Sequence, residues 1–563
     1  METRNCQNCK KDFNIEPDDF SFYEKIKVPS PTFCPTCRFE RRLAFMNIYS
    51  LYKGVCDKCN SNIISMYHKD SGKKVFCSKC WWADDWDGTE YGVDYDPNRN
   101  FLEQYIEFKN NTPMMALDTL YSSLINTSYT NYSSHLNNCY GLFFADYAEN
   151  SFYCDFLNTL KDSSDCFRIR ESEKCYDCVG IYKCFGCVSC DECDNSINLY
   201  FSKNCSGCND CFGCINLRKK SYCIYNEQYT KEEYFEFIKN ADLSSYSNFE
   251  HYKKEARDFW LKNPVKSMYG NSLNVNVSGE YIFESKNARD SYMITSTEDS
   301  RFVQLISVEK TKDAYDYTCW GGGAELIYET LIAGHGSSNI KFSIGSYPDC
   351  LNHEYCYYAS SCKNVFGCAN LKRKSYFILN KEYSKEDFDI LKNKIIEDMK
   401  VNPYIDSKGR IYKYGEFLPF QASSFGYNET FASVYYPKTK DQAIDFGYKW
   451  VEVQPNEYVH NIESKDLPDK RSDRNTILNY VVRCDCGRCF KIVDGEIDIL
   501  NKLNLSIPRK CSDCRRGERF SRALPPTSFD RNCAECGIDI KASYSPDRPE
   551  IVYCEKCYQN EVI

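Results

Sequence analysis

The chain has 563 residues, 42% of them hydrophobic and 27% charged, which is too long for one ordinary core and too apolar for a disordered tail protein. Lys and Arg number 71 against 80 Asp and Glu, a net charge of −9, so the molecule as a whole will not cling to phosphate backbones and any nucleic-acid contact must be local. No run of ~18 apolar residues exists and METRNCQNCKKDF has no apolar stretch, so neither a membrane span nor a secretory signal is expected.

Cysteine is the compositional outlier: 36 Cys against 6 His. A disulfide scaffold of that density would be short and would carry a signal peptide. The reading is therefore a cytoplasmic protein with reduced thiols, in which paired CxxC spacings mean zinc. His68, His135, His251, His335, His353 and His460 form no HExxH or similar cluster, so zinc hydrolase chemistry has no support in the text.

The first two predicted elements are zinc ribbons, over 1–50 and 51–95. The first holds Cys6, Cys9, Cys34 and Cys37; the second holds Cys56, Cys59, Cys77 and Cys80. Two residues between thiolates let a tight turn offer both sulfurs to one tetrahedral Zn²⁺, and two such knuckles close the site without a water position. Behind the second knuckle stand Arg38, Arg41 and Arg42. Arg on a rigid zinc turn can clamp phosphates, which makes these residues candidate RNA or DNA contacts; the competing reading pairs them internally with Asp and Glu.

A bridging helix is predicted within 96–112, where Phe101, Tyr105 and Phe108 share one face. Next comes a mostly β fold, a duplicated β-solenoid with capping helices: half one over 113–262, half two over 263–400. In 139–223 every interval between cysteines is a multiple of three, with chains at a step of 18 such as Cys175–Cys193–Cys211. A helix of period 3.6 drifts off such a grid, whereas short strands that coil and stack do not. The halves are copies: CFGCINLRKKSYCIYNEQYTKEEYFEFI (211–238) matches VFGCANLKRKSYFILNKEYSKEDFDIL (365–391), and SLINTSYTNY (123–132) matches SLNVNVSGEY (272–281). Each ends in a capped helix, signalled by Thr230 with Glu233 and by Ser384 with Asp387; Phe388, Leu391, Ile395 and Met399 continue the second as one stripe. Half two has Ala288, Ala359 and Val365 where half one has Cys139, Cys205 and Cys211, which favours packing over a metal-binding ladder.

Residues 401–480 read as an extended connector, with a short helix in DQAIDFGYKWVEVQP stopped at Gly447 and a polar linker, KDLPDKRSDR. The last two elements are ribbons again, over 481–525 and 526–563. Seven of their cysteines (Cys486, Cys511, Cys514, Cys533, Cys536, Cys554 and Cys557) repeat Cys9 through Cys80 at a constant offset of 477, without insertion or deletion. Arg483 stands where Cys6 belongs. The third site therefore takes Cys511, Cys514 and two of Cys484, Cys486 and Cys489; the register favours Cys486 and leaves its partner open. Arg515, Arg516, Arg519 and Arg522 reproduce the basic cluster.

The strings CPTCRFERRLAF, SFGYNETFA, NLRKKSYCIYN and YSPDRPEIVYCEKCY resemble a family of cysteine-rich zinc-ribbon proteins of candidate-phyla-radiation (Patescibacteria) bacteria, nearly end to end. The first ribbon also resembles a "probable zinc-ribbon" domain defined by four cysteines. The resemblance implies zinc at the matched positions and brings no activity with it.

The functional expectation is a non-catalytic scaffold or binding protein with about four structural zinc ions. RNA or DNA contact is placed at Arg38, Arg41, Arg42, Arg515 and Arg516, and a protein partner along the solenoid. No nucleophile elbow or dinucleotide fingerprint occurs, and WGGGAEL (320–326) lacks the Lys-Ser/Thr of a phosphate loop. The alternative is thiol-redox or metal-handling chemistry in the solenoid CxxC ladder, at an exposed pair within Cys187–Cys193.

Overall fold

The computed structural model describes residues 1–270, 273–452 and 458–562. Ser272 of the SLNVNVSGEY match and the end of DQAIDFGYKWVEVQP fall outside them. The chain divides into two compact units, each made of segments distant in sequence: 1–116 with 268–452, and 117–267 with 453–563. Each unit holds one ribbon pair, one long run of parallel strands and a helical cap.

In the second unit four seven-residue strands, Asn131–Asn137, Phe143–Glu149, Asp155–Lys161 and Phe167–Glu173, carry nearly the same burial pattern and pair in parallel. Each residue pairs with the one 12 further on, as Asp155 with Phe167, and single bridges continue that step to the strands Ile197–Tyr200, Asn209–Phe212 and Ser221–Ile224. The stacking step is thus 12 and not the 18 that the cysteine chains suggested. Cys, Ser, Leu, Ile and Ala share the same inward columns, so counting cysteines alone misses rungs.

An ordinary strand alternates its side chains with period two, yet here every third residue from Leu136 to Cys214 is buried. The backbone explains the change of period. Every third residue from Asn126 to Tyr225 has a positive φ, which bends the chain at regular intervals. A left-handed L-residue costs about 1–2 kcal/mol, least for Asn, Asp and Gly, and those types recur at this position: Asn138, Gly141, Asn150, Asp162, Asp165, Asp177 and Gly180. Asn side chains also bond to one another up the ladder, Asn126 to Asn138 at 2.9 Å and Asn138 to Asn150 at 2.7 Å.

The first unit's ladder is less regular. Its step is 12 at Gly279 with Ser291, 14 at Gln304 with Thr318, 13 at Glu325 with Ser338, and 12 again at Lys363 with Ser375. The widened rungs contain Gly321, Gly322 and Gly323, all at positive φ, and enclose Tyr317, whose hydroxyl accepts from Gly321 N–H at 2.8 Å. Every sheet in either unit is open, none returning to its own first strand.

Both ladders end as the sequence predicts. An antiparallel hairpin stops the parallel run, and a capped helix follows: Lys231–Ala241 with Thr230 and Glu233 as a capping box, and Lys385–Val401 with Ser384 accepting from Asp387 N–H. Phe388, Ile395 and Met399 of the second are buried. The bridging helix spans Phe101–Asn111, capped by Asn100, with Phe101, Tyr105 and Phe108 buried. The helix before Gly447 spans Lys440–Asp445. KDLPDKRSDR is not a free linker: Asp469 accepts from Ser245 Oγ at 2.5 Å and Ser247 N–H at 2.9 Å, pinning it to the cap of the second unit.

Candidate metal centres and the arginine helices behind them

Four cysteine tetrads form, Cys6/Cys9/Cys34/Cys37, Cys56/Cys59/Cys77/Cys80, Cys484/Cys486/Cys511/Cys514 and Cys533/Cys536/Cys554/Cys557, each with its four sulfurs within 4.8 Å of one another. Sulfurs bound at about 2.3 Å around one tetrahedral ion stand ~3.8 Å apart. The measured separations match: Cys9–Cys34 3.7 Å, Cys59–Cys77 3.9 Å, Cys486–Cys511 3.7 Å and Cys536–Cys554 3.8 Å. Each tetrad can hold a metal ion.

Local structure aims the sulfurs. The first pair of each ribbon sits on a hairpin turn, as between Glu2–Asn5 and Asp12–Ile15, and the second pair opens a helix, as at Cys34 before Pro35–Leu43. Backbone N–H groups at those helix starts point at sulfur: Cys34 N–H to Cys6 Sγ 3.2 Å, Cys77 N–H to Cys56 Sγ 3.2 Å, Cys511 N–H to Cys484 Sγ 3.4 Å and Cys554 N–H to Cys533 Sγ 3.2 Å. Orphan helix-start donors favour a thiolate. Hydrogen bonds from Cys34 and Cys37 hold the Cys6 thiol well below its usual range, while the contacts of Cys37 with Cys34 and then Cys6 push its own thiol up. At the fourth tetrad burial raises Cys533 but backbone donors from Cys536 and Cys554 outweigh it, bringing it down to about 6.

The third tetrad resolves the open choice. Cys484 partners Cys486, so the C-x-x-C knuckle of the first ribbon is here one residue shorter, and Gly487 at φ 86° turns the chain where Lys10 does at φ 62°. Cys484 therefore takes the role of Cys6, receiving the equivalent backbone N–H. Cys489 lies outside the tetrad, on the two-residue strand Cys489–Phe490, with its Sγ 3.4 Å from the Tyr458 carbonyl.

The arginines are not on a surface. Arg38, Arg41 and Arg42 are at most 1% exposed. Their helix, Pro35–Leu43, packs on the widened rungs of the first unit's ladder. Arg38 pairs with Asp316 at 2.8 Å, Arg41 with Glu329 and Glu416 at 3.2 Å each, and Arg42 with Asp316 at 3.4 Å, Thr318 at 3.0 Å and Gln304 at 3.2 Å. Burial lowers the Arg38 pKa, but Asp316 more than offsets it and holds the guanidinium charged. The second unit repeats the arrangement. Arg515 pairs with Asp165 and, at 2.7 Å, with Glu496; Arg516 with Asp155 at 3.3 Å; Arg519 with Asp165 at 2.6 Å; Arg522 with Asp177 at 3.0 Å and Asp191 at 3.5 Å.

The match is one of pitch. Arg residues three or four apart on a helix lie ~4.5–6 Å apart along its axis, close to the ~4.8 Å between neighbouring strands. A single Arg-bearing face can therefore read successive rungs. In this geometry the five candidate nucleic-acid residues have their guanidinium groups turned into the ladder, and a phosphate would have to displace a carboxylate to reach them. The carboxylates Asp316, Glu329, Asp155 and Asp165 are the partners that sequence reasoning did not name.

The ladder thiols are equally enclosed. Cys187, Cys190 and Cys193 are at most 1% exposed, so the exposed redox pair expected there is not what the fold builds. Nor do ladder cysteines join any metal-holding group among the described residues. Their S–H groups have another occupation. Cys154, Cys166 and Cys178 each donate to the carbonyl two residues earlier, at 3.2–3.3 Å. Ser151, Ser163 and Ser196, on the same inward positions, make the same bond at 2.7–2.9 Å. The inward site takes a small side chain with one donor, and Ala288, Ala359 and Val365 fill their equivalents without it, fully buried.

No family model matches the chain, nor does any curated protein sequence. Among solved structures, one described as a "putative acetyltransferase" from Desulfovibrio desulfuricans G20 aligns over 52% of this chain and 86% of its own, at 11% identity and a TM-score of 0.09. At that score no common fold is demonstrated and the match carries no argument. No helix among the described residues is long and apolar enough to cross a membrane.

Proposed function

We propose that the protein is a non-catalytic scaffold in which two β-solenoids, one of 12 residues per turn and one widening from 12 to 13 and 14, are each locked by a zinc ribbon, with four structural Zn²⁺ ions in all. The observation that carries this reading is the double arginine staple: the helix leaving the second knuckle of ribbons one and three drives its guanidinium groups into buried carboxylates on consecutive rungs. A pairing step of 12 with a bend every third residue is what a four-sided coil requires. Zinc is favoured because four thiolates around one ion leave no open coordination position, as in structural rather than catalytic sites. Such sites contribute their binding energy to folding, and here that energy would hold the Arg helix in place. The resemblance to cysteine-rich zinc-ribbon proteins of Patescibacteria agrees with this reading. Arginines committed to ion pairs leave RNA or DNA no basic patch at those positions. A protein partner along the coil would meet its outer side chains, including the stacked Tyr132, Phe144 and Phe156, whose ring centroids are 4.9 and 4.7 Å apart.

Elemental analysis of the purified chain tests it, together with a nucleic-acid titration at low salt. About four zinc per chain and no measurable affinity for single- or double-stranded RNA or DNA is the expected result. Iron in place of zinc, fewer than three ions, or affinity that falls steeply with salt would overturn it.

A further inference from the structure

The first unit contains a cationic cluster that its ion-pair network does not use. Lys109, on the bridging helix, is 1% exposed, and its Nζ donates to the Ala422 carbonyl at 3.0 Å. Lys449 Nζ donates to the carbonyl of the next residue, Ser423, at 2.6 Å. Lys73 Nζ donates to Asn110 Oδ1 at 2.7 Å, one residue beyond Lys109 on the same helix. Three ammonium groups from three separate segments are thus held by acceptors next to one another in the chain, Ala422 with Ser423 and Asn110 beside Lys109 itself, with Lys109 buried and Lys449 exposed.

The lack of any carboxylate sets this cluster apart; besides its carbonyl acceptor, Lys109 Nζ has the face of the Tyr357 ring, 5.1 Å from the centroid. Every buried arginine described above faces at least one carboxylate, whereas none of these three lysines has an acidic partner among the described residues. The groups acting on Lys109 are its own burial and then the like charges of Lys73 and Lys449, all of which lower its pKa well below the ordinary lysine value. Burial and Lys449 likewise bring Lys73 down to about 8. Each ammonium carries three N–H donors, and each has a single hydrogen-bond acceptor from the protein. Ser424, next in the chain to Ser423, has a buried Oγ without a hydrogen-bond partner among the described residues. Unpaired buried charge costs several kcal/mol per ion, so a cluster of this kind is stable only if its amines lose their protons or an anion joins them.

We propose that Lys73, Lys109 and Lys449 form a binding site for a small tetrahedral oxyanion of the phosphate or sulfate class. Such an ion offers several acceptors to the donors left over and neutralises the mutual repulsion of the three amines. Lys suits the task as a point charge without the fork geometry of Arg.

The test is thermal denaturation and calorimetric titration of the metal-loaded full chain with inorganic phosphate, against chloride at matched ionic strength. Saturable stabilisation of the wild type is expected, with binding weakened about tenfold or more in Lys73→Met and in Lys449→Met. Lys109→Met should abolish the phosphate response even if it raises stability in phosphate-free buffer by removing a buried amine. No stabilisation beyond that given by chloride would overturn the proposal and leave the amines deprotonated. An equal response in wild type and all three variants would overturn it as well, by revealing a general salt effect.

Discussion

The two ladders answer the same packing problem differently. In the second unit the step is 12 from Leu124 to Ile224 and the inward columns hold mainly Cys, Ser, Leu and Ala. In the first unit the core is Ile282, Ile294, Ile306, Tyr317, Ile327 and Ile340, and the step is 12 from Ile282 to Ile306, then 14 and 13, before returning to 12. Where the step returns to 12, cysteine returns too, at Cys356, Cys362 and Cys368. Rungs of step 12 thus take cysteine in one place and isoleucine in another, Ile282 and Ile294 among them, so rung width alone does not choose between them. A 12-residue rung takes Cys and Ser, each with a donor for the carbonyl two residues back, as well as Leu and Ile; the rungs with extra residues also enclose the ring of Tyr317.

The ribbons do not differ in this way. Their staples are built alike in both units because the constraint is the pitch of a helix against the spacing of strands, which one or two extra residues in a rung do not alter. Metal removal should therefore have the largest effect and should act on both units at once. A structural four-thiolate zinc site contributes an apparent ~10–16 kcal/mol, so a strong chelator should release about four ions and unfold both Arg helices from their ladders. Loss of protection from hydrogen exchange in 35–43 and 512–522 together is the expected readout. Release of metal without loosening either helix would separate the metal centres from the staples.

Single staple substitutions come next. Removing one member of a buried ion pair leaves its partner uncompensated and costs about 3–5 kcal/mol. Arg42→Ala should destabilise the first unit and Arg519→Ala the second, each measured by denaturant unfolding with exchange read separately in the two units. Loss confined to the unit that carries the substitution is expected, since each guanidinium and its carboxylates belong to one unit. Asp316→Leu should cost more than Arg42→Ala, since it leaves both Arg38 and Arg42 short of a carboxylate.

How much of this was legible follows from distance along the chain. Knuckle spacing is local, so the four tetrads could be read from the cysteines, apart from the shortened turn at Cys484-x-Cys486, where Cys489 was equally within reach. The three-residue grid was visible as well, and Asn, Asp and Gly marked the bends. The rung length was hidden because Ser163 and Leu199 occupy columns that cysteine arithmetic leaves blank. The destination of the arginines was not legible at all. Arg42 and Asp316 are 274 positions apart and Arg515 and Asp165 are 350 apart, and no local pattern tells a basic helix face bound for carboxylates from one bound for phosphate. The lysine cluster was missed for the same reason.

A third effect separates the ladders by pH. His353 stands in the first unit's inward column between Ile340 and Val365, fully buried, with Nε2 2.9 Å from the Cys362 carbonyl and Nδ1 3.2 Å from Ser346 Oγ. Burial drives its pKa down to about 4, against the small opposing effect of the Cys362 carbonyl. The folded state thus prefers the neutral ring. Its contribution is present in full above the unfolded value near 6.5 and is lost as pH falls towards 4, a swing of about 3 kcal/mol. The first unit should lose stability across that window in wild type but much less in His353→Leu. An unchanged pH profile in His353→Leu would remove His353 as the cause.

The smallest effect probes the cysteine columns themselves. If the inward thiol serves as a small donor, Cys178→Ser should cost only about 1 kcal/mol, because the hydroxyl can keep the bond to the Tyr176 carbonyl that the thiol makes at 3.3 Å. Cys178→Leu should cost about 1–3 kcal/mol, because the added carbons overpack a column already filled by Cys166 below and Cys190 above. In the first unit's wide rungs the order should reverse: Ala314→Cys should be nearly neutral, while Tyr317→Ser should leave a cavity and cost about 3–5 kcal/mol. Equilibrium unfolding of the four variants measures all of this on one scale. If Cys178→Ser proves as damaging as Cys178→Leu, the thiol has a function that a hydroxyl cannot supply, and packing would no longer account for the cysteine in that column.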